Sequence, residues 1–399
     1  MGRNEQCQKG TSDNDLSRRG FMALSCTGAV ALTGLVLGGC SAPSQTPELS
    51  RRIDAIVNGM SLEHKVAQLF VVRPESMVDA ETVTRADGQT REALRRWPVG
   101  GLVYFAQNLI DAEQTKAMLD DTLRHGLESN DIPPFLCVDE EGGAVSRIGG
   151  NVGFDVANVG DMADIGASDD PALAKSAASA IGGYLKPLGF NVDFAPVCDI
   201  VNNPDSGTMR RRSFGDDPDR VARMAAAQVE GLLEHGMLCC AKHFPGIGSA
   251  TGNSHDAGIT SARSAEDLRE VELLPFVSAI RAGVPFVMVG HLSLPAVTGD
   301  DAPASLSPTV VQGLLREEMG YEGLIITDSL EMGAVDEEEN AVLALGAGCD
   351  IVLMPPSLEQ AINGVRAALD MGRLSEERID RSVRRVLRTK LEFMGNSFL

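Results

Sequence analysis

Ionisable residues recur next to short apolar runs in this chain. Asp328 follows Leu324–Thr327, Lys242-His243 follows Leu238–Ala241, and Asp139-Glu140-Glu141 follows Pro134–Val138. His291 comes soon after Pro285–Val289. Asp193 lies in Val192–Val197 and Asp199 after it, and Asp350 stands just before Ile351–Met354. His255 lies beyond Lys242-His243, at the end of a Gly- and Ser-rich stretch that begins at Gly246. One Asp after one strand often does no more than cap the next helix. Several such residues after different strands ask for a shared purpose. A carboxylate nucleophile, a proton donor and several hydroxyl-binding groups make up the toolkit of a retaining glycosidase. Asp328 fits the nucleophile. An imidazole, His255, takes the role that a second carboxyl usually fills, and Lys242 and His243 offer charge and donors to sugar hydroxyls. Plainer roles stay open at this level: Asp328 as a helix cap, His255 as a surface loop residue, Lys242-His243 as a structural pair. The toolkit calls for no cofactor and no metal.

Such groups must be carried by a frame that brings them to one place. Eight apolar runs rich in β-branched or small residues recur: Gln68–Val72, Gly101–Phe105, Pro134–Val138, Val192–Val197, Leu238–Ala241, Pro285–Val289, Leu324–Thr327 and Ile351–Met354. Helical patterns fill the gaps, at Ala112–Leu127, Pro171–Leu188, Arg220–His235, Leu268–Ala282 and Ser307–Met319. Ser61 and Ser357 stand where helix caps are needed, and a last helix starts near Ser375. Alternating strands and helices imply a parallel sheet with buried strands. Eight units imply an α/β fold, a single (β/α)8 TIM-type barrel over residues 50–399, with an open doubly wound sheet as the competitor. In such a barrel the chemistry gathers at the C-terminal ends of the strands.

Residues 1–39 read as an export address. Arg18-Arg19 precedes an apolar run from Phe21 to Gly39, resembling a twin-arginine signal, and Leu37-Gly38-Gly39-Cys40 looks like a bacterial lipobox. Cleavage there leaves Cys40 acylated, with residues 40–49 as a polar tether. The expectation is an exported protein held to the outer face of the cytoplasmic membrane by that lipid alone. The alternative is an uncleaved membrane helix. Of eight cysteines, Cys137, Cys198, Cys239, Cys240 and Cys349 remain; they sit in or beside apolar runs without zinc spacing, so they are expected to be buried thiols. The charge balance is 35 Lys+Arg against 56 Asp+Glu, net −21. That argues against a nucleic-acid partner or an anionic lipid surface.

Longer motifs add a resemblance. Lys242-His-Phe-Pro-Gly246 with Asn253-Ser-His255 resembles the signature of glycoside hydrolase family 3, in its β-N-acetylglucosaminidase branch. Ser61–Leu69, Asp139–Gly143 with Val145 and Arg147, Asn191–Val197 with Asp199, Arg212–Asp216 and Thr327–Met332 are similar to that family's further motifs, in order. The resemblance covers essentially all of residues 50–399. It implies that Asp328 is the nucleophile and His255 the general acid/base. Asp139, Arg147, Arg212, Lys242 and His243 would bind an N-acetylglucosamine ring. The substrate expected is a glycan such as a cell-wall fragment, with water, phosphate or an alcohol as acceptor. The chain ends at Leu399, soon after Asp328, without the second domain from which the family's β-glucosidase branches take a carboxyl acid/base. The departures are Asn253, where the branch has an Asp that holds and charges the imidazole, and Ile247 and Ser249, where it often has His and Asp. An Asn oxygen accepts the ring N–H but does not stabilise an imidazolium as a carboxylate does. Rival readings are a lipid-anchored sugar-binding protein, a degenerate glycosidase with altered activity, and a metal-dependent barrel hydrolase using His243, His255 and Asp328. The last lacks a His-x-His or carboxylate triplet after the first strands. Oligomeric state is not readable.

Overall fold

The computed structural model describes residues 47–203, 207, 209–250, 259–332 and 337–394. Eight parallel strands form its centre: β1 (Phe70–Val72), β2 (Gly101–Tyr104), β3 (Phe135–Val138), β4 (Val192–Asp193), β5 (Leu238–Phe244), β6 (Phe286–Val289), β7 (Leu324–Thr327) and β8 (Val352–Leu353). Sequence neighbours pair from β1 through β7, and β1 also pairs with β8. A parallel bridge between Ile326 and Ile351 joins β7 to the segment entering β8, which brings the ring round on itself. Helices on the outside cover it, so the strands are buried on both faces and read as unbroken apolar runs. This is a (β/α)8 barrel.

Each apolar run seen in the sequence became one of these strands, most of them trimmed at an end, and two differ for a readable reason. β4 is short. Pro196 has no N–H for the ladder, and regular pairing gives way to a single bridge, Val197 to Lys242. β5 is long, running through Lys242 and His243 to Phe244, with a register shift against β6 between Ala241 and Phe244. Lys242 and His243 are therefore residues of the strand itself.

The helices begin as the sequence suggests. Ser61 accepts from the His64 N–H, Asp170 from Ala172 and Asp217 from Arg220, and Pro171 and Pro218 fill first-turn positions where an N–H is not needed. The helix expected from Leu268 opens instead with a wide turn, Leu268–Glu272, in which Leu273 N–H reaches the Leu268 carbonyl at 2.9 Å. Pro275, which cannot donate and crowds the carbonyl four residues back, accounts for that turn. Thr309–Glu318 is wide-turned as well. Cys137, Cys198, Cys239, Cys240 and Cys349 are buried free thiols, and burial pushes Cys349 up to about 12.

Candidate active site

The C-terminal ends of the strands surround a cavity of about 570 Å³. Asp139, Arg147, Arg212, Lys242, His243 and Asp328 all line it. Six of the residues singled out in the sequence are thus brought together. Asn253 and His255 lie outside the described residues, as do Cys40 and residues 1–39. Ile247 and Ile259, which flank the undescribed stretch, both line the cavity.

The cationic side is built from β3, β4 and β5. Lys242 and His243 are consecutive and both line the cavity. Lys242 Nζ lies 2.7 Å from both Asp139 Oδ1 and Glu141 Oε1. Arg212 meets Glu141 through two bonds of 2.7 Å, a bidentate pair. Burial opposes charge on Glu141, but Lys242 and Arg212 overcome it and hold the carboxyl down at about 2. The same pairing holds Lys242 and Arg212 above their ordinary values against burial. Glu141 is buried and its two oxygens are filled, so it orients two cations.

Asp199, fully buried, does the same for His243. Its Oδ2 accepts from Nδ1–H at 2.7 Å, and its Oδ1 accepts the Ile247 N–H at 2.8 Å. That fixes Nε2 as the ring atom facing Arg212, at 3.5 Å. Asp139 meets Lys242 through one oxygen, and its other oxygen is uncommitted among the described residues.

Asp328 ends β7 on the opposite side of the barrel. Its Oδ1 accepts the Ser329 N–H at 2.8 Å, and its Oδ2 is uncommitted among the described residues. Burial raises this carboxyl, but positive charge at His243 and His291, the Ser329 N–H and Lys242 outweigh it and bring it below its ordinary value. The group is ionised at neutral pH and open on one side, as a carboxylate nucleophile must be. His291 is fully engaged: Nε2–H donates to the Ser329 carbonyl at 2.9 Å and Nδ1 meets Ser305 Oγ at 2.7 Å. It braces the Asp328–Ser329 segment.

Arg147 stands on the β3 side, its guanidinium 5.8 Å from the Phe105 ring centre. Arg73 and Glu331 form a 2.7 Å pair on the wall between β7 and β1. Met288, Met332, Leu353 and Met354 give that half an apolar lining. Met354 has φ 47°, which few non-glycine residues adopt; such outliers gather at functional sites.

Sequence reasoning passed over the site roles of Glu141, Asp199, His291, Arg73 and Glu331. Glu141 could have been found as an acid two residues after Asp139, and Asp199 was already marked after the fourth apolar run, though nothing there paired it with His243. Nothing in the sequence pairs Arg73 with Glu331. Asp350 does not join this site; it lies before β8, at the other end of the barrel. Among the described residues no three His, Cys, Asp or Glu side chains are grouped to hold a metal ion.

Comparison with known proteins places these features in context. Residues 61–389 match the family described as glycosyl hydrolase family 3 N terminal domain. The chain is 32% identical over 364 residues to beta-hexosaminidase LpqI of Mycobacterium tuberculosis, covering 88% of this chain and 86% of that protein. It is 32% identical over 339 residues to beta-hexosaminidase A of Pseudoalteromonas piscicida, covering 77% of this chain but only 56% of that protein. Among solved structures, a glycoside hydrolase family 3 beta-N-acetylglucosaminidase from Paenibacillus sp. str. FPU-7 is 37% identical, with a TM-score of 0.78 over 84% of this chain and 63% of that one.

Proposed function

The chain belongs to glycosyl hydrolase family 3, and on that premise we propose that it is a retaining β-N-acetylhexosaminidase. Its substrates are terminal β-linked N-acetylglucosamine residues of cell-wall fragments or related glycans. The observation that carries this reading is Asp328: an ionised carboxylate at the end of β7, open on one oxygen and facing the cation cluster of β4 and β5 across one cavity. The relatives named beta-hexosaminidase support the choice of sugar.

In this mechanism Asp328 attacks the anomeric carbon as the aglycone oxygen departs with a proton from His255. The bond from Asp328 to that carbon replaces the glycosidic bond. His255, now neutral, takes a proton from water, whose oxygen attacks the same carbon and frees Asp328. Asp139 accepts from, and Lys242, Arg212, His243 and Arg147 donate to, the ring substituents. Glu141 and Asp199 hold those donors in place, so little ordering remains when the sugar binds. For location, the Arg18-Arg19 pair and the Leu37–Cys40 lipobox support export and a lipid anchor on the outer face of the cytoplasmic membrane.

The test compares 4-nitrophenol release from the β-N-acetylglucosaminide and from the β-glucoside, then traps the intermediate with 5-fluoro-N-acetylglucosaminyl fluoride. The expected results are turnover of the first substrate and a covalent label on the peptide bearing Asp328. Preference for the glucoside would overturn the sugar assignment. Turnover without a label on Asp328 would point to attack by the substrate's own acetamide.

A further inference from the structure

Between two cavity residues, Asp139 and Glu141, stands a carboxylate that does not line the cavity. Glu140 is fully buried, yet no cation pairs with it among the described residues. Five donors surround it instead. Oε1 accepts from Ser146 Oγ at 2.5 Å, Gly149 N at 2.8 Å and Tyr184 Oη at 2.8 Å. Oε2 accepts from Arg147 N at 2.6 Å and Ile148 N at 3.0 Å. Its own N–H donates to Asp193 Oδ1 at 2.9 Å, which ties it to β4. Four consecutive residues, Ser146 to Gly149, are therefore wrapped around one anion.

The second of those four is Arg147. The other cations lining the cavity each have an acidic partner: Arg73 has Glu331, Arg212 has Glu141, and Lys242 has Asp139 and Glu141. Arg147 has none among the described residues, and its buried Nε has no hydrogen-bond partner. Its guanidinium lies 5.8 Å from the Phe105 ring centre. Its place is set from behind, through its backbone.

We propose that Glu140 is a positioning residue that aims the Arg147 guanidinium into the cavity. It holds the 146–149 backbone and touches no substrate itself. The idea rests on the reading that the cavity takes a sugar through Arg147. Glutamine at this place cannot substitute. A carboxylate accepts at both oxygens, whereas an amide turns one of them into a donor. That donor faces either the Gly149 N–H or the Arg147 and Ile148 N–H groups.

The experiment is a double-mutant cycle on 4-nitrophenyl N-acetyl-β-glucosaminide with Glu140→Gln and Arg147→Ala. Each single change is expected to raise KM about tenfold or more with kcat altered far less, as loss of binding interactions does. The double variant is expected to be no worse than Arg147→Ala. Additive effects would overturn the proposal. Amide exchange of the intact chain gives a readout that needs no turnover: Glu140→Gln should lose protection at 146–149 and keep it elsewhere, and unchanged protection there would refute the clamp. If Glu140→Gln fails to fold, Tyr184→Phe removes one donor alone and should show a smaller KM effect with the same dependence on Arg147. An inactive wild type would refute the sugar reading and leave the exchange result to decide the clamp.

Discussion

The two ends of the barrel both bury charge, but they finish it differently. At the N-terminal end, Asp350 receives Arg316 at 2.6 Å, Arg385 at 3.3 Å, Ser382 Oγ at 2.6 Å and the Ile325 N–H at 3.1 Å, with Arg378 4.0 Å away. Both oxygens are filled and the carboxylate has no exposure. At the C-terminal end, among the described residues, Asp328 and Asp139 each keep one oxygen uncommitted and Arg147 has no acidic partner. Buried charge alone therefore does not mark a site; unfilled hydrogen-bonding capacity beside a cavity does. Where every valence is closed, removing a group leaves its partners stranded. Where valences are open, removal leaves the fold alone and takes away chemistry.

The largest expected effects set the two ends directly against each other. Asp328→Asn should lower kcat by at least three orders of magnitude, about 4 kcal/mol of barrier, with an unchanged urea midpoint. Asp350→Asn should do the reverse. It leaves buried guanidiniums without their counter-charge, a change worth about 3–5 kcal/mol of stability, while the folded fraction keeps its kcat. Active-site titration and urea unfolding of both variants separate the two. A stable Asp350→Asn protein with low kcat would break the contrast.

A smaller effect tests the support beneath the open end. Asp199→Asn weakens one charge-assisted hydrogen bond to His243 and sets an amide against the Ile247 N–H. A bond of that kind is worth about 1.5–3 kcal/mol, or roughly 10- to 150-fold in kcat/KM. Positive charge at His243 helps hold Asp328 below its ordinary value. A His243 ring held less firmly supports Asp328 less well, so the Asp328 carboxyl should rise and the acid limb of kcat/KM against pH should move to higher pH. A drop in rate with an unmoved acid limb would mean that Asp199 only shapes the loop.

The comparison also explains what the sequence made legible. The strands were readable because helices cover one face of them and the barrel interior the other, so burial leaves an unbroken apolar run. Asp328, Lys242 and His243 were readable because they sit at the ends of those runs. Asp350 misleads from sequence alone: beside a strand it resembles Asp328, and only the chain direction tells which end of the barrel it occupies. Arg73 with Glu331, and Asp350 with Arg385, are pairs between residues far apart in the chain. No local pattern encodes them: barrel closure brings the first pair together, and the last helix, Glu376–Met394, packing back beside the start of β8 brings the second.

The least expected effect belongs to a second buried charge at the closed end. Lys390 Nζ lies 2.9 Å from the Gly100 carbonyl, 3.0 Å from Gln68 Oε1 and 4.7 Å from the Phe135 ring centre, with no carboxylate beside it among the described residues. Burial pulls it down to about 7, offset only in part by Cys137, which is itself pushed well above its ordinary range and stays neutral. The unfolded chain titrates this lysine near 10.5. Between about 7 and 10.5 the unfolded state holds a proton that the folded state has released, so this group makes stability rise with pH across that window. Below 7 both states are protonated and the contribution is constant and unfavourable. Lys390→Met keeps the apolar stem without the amine. Its melting temperature should exceed that of the wild type most at pH 6, and the gap should shrink between pH 7 and 10 as the wild-type amine goes neutral and keeps its bonds to Gln68 and Gly100. The kcat of the two proteins should match at each pH, since the cavity lies at the other end. A gap that stays constant with pH would mean the ammonium remains charged inside the barrel, held by the Phe135 ring and two oxygen acceptors without a counter-charge.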